Sequence, residues 1–118
     1  MNDFEVALRT AGNTSVLDLG GTLDRDAQAR FEEAFTAALA SCDGSVVLNF
    51  TDIGFINSTG IALVVGALAK GRAAKRDVRA FGLDEHYRHI FEITRLTDFI
   101  SIYDDESSAL SPQEEQHA

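Results

Sequence analysis

The sequence predicts an α/β fold: one domain with a mixed β-sheet after an N-terminal hairpin, and helices packed chiefly on one face. Three observations carry this. Apolar residues alternate with period two over residues 3–21, then switch to helical spacing from Asp24. Beyond residue 45, short apolar runs and helical stripes follow one another, and helices between successive strands imply right-handed crossovers and parallel pairing. The chain has 118 residues, 45% of them apolar, which suits a single core.

In "DFEVALR" (3–9), Phe4, Val6 and Leu8 share one face; "TSVLDLGG" (14–21) follows the turn signal Ala11-Gly12-Asn13. From Asp24, a preferred N-cap with Asp26 in the first turn, Ala27, Phe31, Ala34, Phe35 and Ala38 form the stripe of a helix of about 16 residues, ended by Gly44. Val46, Val47, Leu48 and Phe50 make a nearly continuous apolar strand, the pattern of a sheet centre covered on both faces. A loop then leads to a helix from Ser58 to about Gly71, with Ile61, Val64, Val65 and Leu68 at helical spacing. "DVRAFGL" (77–83) is the next strand, Asp84 caps a helix with Tyr87, Ile90 and Phe91 inward, and "DFISIYD" (98–104) is the last strand. "ESSAL" adds a helical turn; the domain is expected to span residues 1–110, with an acidic, disordered tail over 111–118.

The formal charge is −9, which opposes direct nucleic-acid binding. Lys70, Arg72, Lys75, Arg76 and Arg79 supply half of the ten cations, read either as a solvated helix end or as a partner-binding patch. The acidic, alternating N-terminus does not resemble a secretory signal, and no apolar run approaches the roughly 18 residues of a membrane span. A cytoplasmic protein without membrane insertion is expected. Cys42 stands alone, so an intramolecular disulfide is excluded.

No catalytic residue, metal site or cofactor is expected. Ser58 lies in N-S-T-G, which lacks the first glycine of a nucleophile elbow, and Gly20-Gly21 and Gly60 form no nucleotide-binding fingerprint. His86 and His89 are spaced to share a metal, but no further ligands accompany them. The informative stretch is "FINSTGIALVVGAL" (55–68). Asn57 is a preferred N-cap, Ser58 and Thr59 take the first helical positions, and Gly60 would let another surface approach the backbone. A phosphoryl group on Ser58 would meet free N–H groups and the positive dipole end, while adding about −1.5 to −2 charge to any interface there.

These residues resemble the STAS-domain family and, within it, the bacterial anti-sigma factor antagonists, over about residues 3 to 110. "VVLNFTDIGFINSTGIALVVGAL" is similar to the family's strand and D-x-x-F-x-D-S-S/T-G-L/I motif; "LGGTLDRDAQARFEEAF" is similar to its G-x-L-D segment, and "HIFEITRLTDFISIY" to its late helix and strand. The resemblance implies a partner switch. The unphosphorylated antagonist binds an anti-sigma factor with serine-kinase activity and frees a sigma factor; phosphorylation at Ser58, or as second choice Thr59, releases it, and a PP2C-type phosphatase restores it. Gly21, Asp24, Asn57, Ser58, Thr59 and Gly60 form the implied partner-binding set, and on this reading Gly60→Val would weaken binding without unfolding. The chain departs from the pattern at Asn57 (Asp in the motif), Ala62 (commonly Gly) and Arg95 (Gly). Two alternatives share the family: a STAS scaffold that is never phosphorylated, and an accessory subunit of a membrane lipid transporter.

Overall fold

A computed structural model describes residues 3–111. Five strands run in the order β1-β2-β3-β4-β5: β1 (Glu5–Ala11), β2 (Thr14–Leu23), β3 (Val46–Ile56), β4 (Val78–Phe81) and β5 (Ser101–Tyr103). Only β1 and β2 pair antiparallel; β2 to β5 are parallel neighbours. Four α-helices are α1 (Gln28–Ser41), α2 (Ser58–Ala73), α3 (Glu85–Ile93) and the short α4 (Glu106–Ala109). The predicted mixed sheet and initial hairpin are both present.

Strand alternation divides the interior into two layers. Leu17, Leu19, Val46, Leu48, Phe50, Val78 and Ala80 point to the side covered by α1, α2 and α3, where Phe31, Phe35, Val64, Leu68 and Phe91 complete the main core. Phe50 and Phe91 meet edge to face, ring centroids 6.1 Å apart. Val16, Val47 and Phe81 point the other way and pack with Ala109 of α4. Both faces of the central strand are thus dry, as the unbroken apolar run at Val46–Leu48 requires.

Four boundaries differ from the sequence expectation. The helix expected from Asp24 begins instead as a 3₁₀ turn, Arg25–Ala27, because the Ala27 N–H bonds the Asp24 carbonyl three residues back; the α-helix proper starts at Gln28. β3 does not end at Phe50. Its polar continuation, Thr51 to Ile56, reads as a loop but pairs with β2 alone, through Gly20–Asp52, Gly21–Ile53, Thr22–Phe55 and Leu23–Ile56, with two register shifts. β4 stops at Phe81, so this ribbon extends past the rest of the parallel sheet and one side is left in water. The last strand shrinks to Ser101–Tyr103 because Leu96–Asp98 coils into a 3₁₀ turn. The expected tail lies outside the described residues except for Ser111.

Arg95, where the family pattern has glycine, sits in the left-handed region at φ 67. That conformation explains why a glycine suits the position. The cation cluster of residues 70–79 is dispersed. Arg79 is buried under α4, bonding Asp77 and the Ala109 and Ser111 carbonyls, and Arg76 bonds the carbonyls of Leu39, Cys42 and Gly44 at the end of α1. Lys70, Arg72 and Lys75 remain exposed.

The α4 face carries a polar chain. Arg9 of β1 bonds both oxygens of Asp18 and both of Glu106, and Asp18 also accepts from Asn49 of β3. The Arg9 guanidinium holds the Asp18 and Glu106 carboxyls below their ordinary values of 3.8 and 4.5. A depressed folded-state pKa contributes stability that is complete above the ordinary carboxylate range and lost as pH falls through the depressed value. Arg9→Met should therefore be less stable than the parent at pH 7 when both are unfolded in urea, and the gap should shrink as pH falls below the ordinary carboxylate range. The gap should also narrow in high salt, because the groups are partly exposed.

Candidate functional site at the mouth of α2

The parallel pair Leu23–Ile56 ends the β2–β3 ribbon, so the next residues, Asp24 and Asn57, emerge side by side at the carboxyl ends of neighbouring strands. The Asn57 N–H donates to the Leu23 carbonyl at 3.3 Å, tying the two exits together. Asn57 then caps α2: its Oδ1 accepts from the Gly60 N–H at 2.9 Å, and its carbonyl accepts from the Ile61 N–H. Asp24 caps the neighbouring 3₁₀ turn by accepting from the Asp26 N–H at 3.0 Å. Both caps occur where the residue types indicate.

Ser58 is exposed at the first helical position, with half-buried Thr59 beside it. The caps satisfy Gly60 and Ile61, which leaves the Ser58 and Thr59 N–H groups turned to the positive end of the helix. Gly21 is positioned by its backbone: at φ +83, a Cβ there would lie 2.3 Å from the Asp3 carbonyl oxygen. The structure therefore brings Asp24, Asn57, Ser58 and Thr59 together at one end of the sheet, with Gly21 inside the ribbon behind them.

Gly60 corrects the sequence reading. It is buried, and a Cβ on it would lie 2.1 Å from the Leu23 carbonyl oxygen and 2.8 Å from Ile56 Cγ2. The close approach that this glycine permits is made by β2 of the same chain. Gly60→Val would consequently disturb the fold itself, and an intact fold with weakened binding is not its expected result.

Two residues at the site escaped the sequence reading. Tyr87 of α3 is buried, and its hydroxyl oxygen accepts from the Ile56 N–H at 2.9 Å, satisfying the last backbone donor before the cap. Its helical spacing marks it as a core residue; nothing in the sequence shows where the hydroxyl goes. Phe55 is 53% exposed beside Ile56, which is buried. Once β3 is known to run to Ile56, simple alternation accounts for Phe55, but a loop assignment conceals it. His86 and His89 are exposed on α3, and among the described residues no group of three or more His, Cys, Asp or Glu gathers to hold a metal.

The family described as "Mlab, STAS domain" matches residues 6–102. The chain belongs to the STAS-domain family. Among curated relatives, the anti-sigma-B factor antagonist of Listeria monocytogenes is 34% identical over 55 residues, covering 47% of this chain and 48% of that protein. The chain spans about half the length of that relative in the match. The Staphylococcus aureus protein of the same name is 26% identical over 71% of this chain and 78% of its own. Among solved structures, an anti-sigma factor antagonist from Mycobacterium paratuberculosis superposes with TM-score 0.74 at 22% identity, covering 92% of each chain. Phosphorylated SpoIIAA, a Bacillus cell fate determinant, superposes with TM-score 0.62 at 21% identity over 97% and 96%. At these identities the structural likeness establishes the fold.

In this STAS domain, two glycines of α2 should respond oppositely to alanine. Gly66→Ala meets nothing within 4 Å and should stabilise by up to about 1 kcal/mol through helix propensity. Gly60→Ala forces a methyl against a carbonyl and should cost about 3 kcal/mol despite the same gain. Urea midpoints of the two variants measure the contrast. Tyr87→Phe strands the Ile56 N–H and should cost about 1–3 kcal/mol, with amide exchange accelerating at Ile56.

Proposed function

We propose that this chain is an anti-sigma factor antagonist that binds an anti-sigma factor with serine-kinase activity, and that phosphorylation at Ser58 releases it. The observation that carries the reading is the combination of an exposed Ser58 at the capped start of α2 with an uncharged outer surface along the same helix. Ala62, Val65, Gly66 and Ala69 are exposed, and no charge appears before Lys70. α1 offers a comparison within the same molecule, because its exposed side carries Arg30, Glu32 and Glu33. A helix that is apolar on both sides suits an interface, and the exposed Phe55 ring beside its mouth is a natural anchor for a partner. Asp24, Asn57, Ser58 and Thr59 would contribute side chains to this surface; Gly21 and Gly60 shape the backbone behind it. The names of the Listeria and Staphylococcus relatives agree with this role.

Phosphate on Ser58 acts differently on fold and partner. Within the chain, a dianion at a helix N-terminus contributes about 0.3–1 kcal/mol towards stability. At an apolar interface, an uncompensated charge costs several kcal/mol, and each 1.4 kcal/mol is tenfold in affinity. A PP2C-type phosphatase would return the protein to its binding form. The scaffold and lipid-transporter alternatives require no phosphate.

Ser58→Ala should bind the anti-sigma partner permanently, Ser58→Asp should bind at least about tenfold more weakly with an unchanged urea midpoint, and Thr59→Ala should still accept phosphate. Mass spectrometry after incubation with the kinase and ATP, paired with titration of each variant, measures all three. Phosphate on Thr59 alone, or tight binding by Ser58→Asp, would reject the Ser58 switch; absence of any phosphate with binding intact would favour the scaffold.

A further inference from the structure

A cavity of about 580 Å³ opens between the C-terminal half of α2, the start of β4 and the turn that follows α3. Its α2 lining, Val65 to Arg72, lies roughly 10–20 Å along the helix from Ser58. Its floor is built from the buried side chains of Leu68, Val78 and Leu96, and its walls from Val65 and Phe99, which are 46% and 56% exposed. That size and lining fall within the range of small-molecule sites, which combine an apolar body with a few converging polar groups.

Cations outnumber acids among the polar groups here, in a chain whose formal charge is −9. Arg72, Arg76 and Arg95 line the cavity together with Asp77 and Asp98. Each acid is already matched: Asp77 bonds the buried Arg79 at 2.7 Å, and Asp98 bonds the Arg95 Nε at 3.1 Å. Arg76 spends its donors on carbonyls at the end of α1, so it fixes the cavity wall while its charge remains. Arg72 is the group left to meet a ligand. Its guanidinium lies 5.5 Å from the centroid of the Phe99 ring, and among the described residues no carboxylate pairs with it. Stacking on the ring orients the guanidinium at the rim with its N–H donors available. Arg95 keeps its two terminal amino groups beyond the Nε contact, in a left-handed backbone conformation that glycine would adopt more readily.

The geometry points to a binding site for a small amphiphilic monoanion, an apolar body seated on Leu68, Val78 and Leu96 with its carboxylate or phosphate head held by Arg72 and Arg95. Burial of the body supplies affinity in proportion to area, and the charge-assisted bonds select an anion over an alcohol of equal length. The site shares Val65 and Ala69 with the proposed partner surface of α2 but does not include Ser58.

The test titrates decanoate, decanol and inorganic phosphate into the full chain, followed by amide shifts and calorimetry. Decanoate should saturate, moving the amides of Val65, Ala69, Arg72, Leu96 and Phe99 while those of β1 and β2 stay in place. Decanol should bind about tenfold more weakly, and phosphate alone should not saturate. Arg72→Gln should lower decanoate affinity about tenfold and leave decanol unchanged; Arg95→Gly, which suits the backbone, should fold normally and also weaken decanoate. Equal binding of decanoate and decanol, decanoate affinity untouched in both variants, or shifts spread over the whole sheet would overturn the site. So would an acidic helical peptide that moves the same amides where decanoate moves none.

Discussion

The Leu23 carbonyl organises the mouth of α2. It accepts from the Asn57 N–H as β3 ends and lies against the face of α2 on which Gly60 carries no side chain. Because Leu23 is paired with Ile56 and its oxygen is already bonded by the Asn57 N–H, the oxygen resists displacement by a methyl group. The helix must therefore start at one position, with Asn57 as cap and Ser58 outward. Tyr87 fixes the same junction from α3 by satisfying the Ile56 N–H. An exposed hydroxyl thus rests on a backbone that is hydrogen-bonded or sterically confined at each of the preceding residues, and precision of this kind suits a group that another protein must find.

The two faces of the sheet are held by different physics. On the α1–α3 side, stability comes from area: five phenylalanines, Phe4, Phe31, Phe35, Phe50 and Phe91, are almost completely buried. On the other side the apolar cluster is small, and α4 is positioned by arginines, Arg79 from β4 beneath it and Arg9 from β1 at the edge of the sheet. Apolar burial does not titrate, whereas the Arg9 bonds respond to pH and are screened by salt. The α4 face is consequently the one whose stability solution conditions adjust, and it lies across the sheet from α2.

α2 joins the observations. Its inner side fills the core with Leu63, Val64, Ala67 and Leu68, its start presents Ser58, its outer side is uncharged to Ala69, and its end carries Arg72 beside the cavity. A helix of ordinary amphipathicity would need charges on that outer side to remain in water. Here the small residues keep it flat, so a partner surface can lie close along it.

The sequence by itself determined the order of elements, the mixed sheet, the caps at Asp24, Asn57 and Asp84, and the place of Ser58. These follow from local rules: the period of apolar residues and the preference of Asp and Asn for helix starts both act within a few positions. Tertiary structure alone decided where β3 ends, since Thr51 to Ile56 become strand only because β2 runs beside them. It also decided what Gly60 is for. A glycine shows that something comes close, but the sequence does not contain the identity of the neighbour, and the neighbour is Leu23, far away along the chain. The hydroxyl contact of Tyr87, the dispersal of Arg76 and Arg79, and the cavity beneath Arg72 share that reason: each is a meeting of residues from separate elements, set by the packing of the whole sheet.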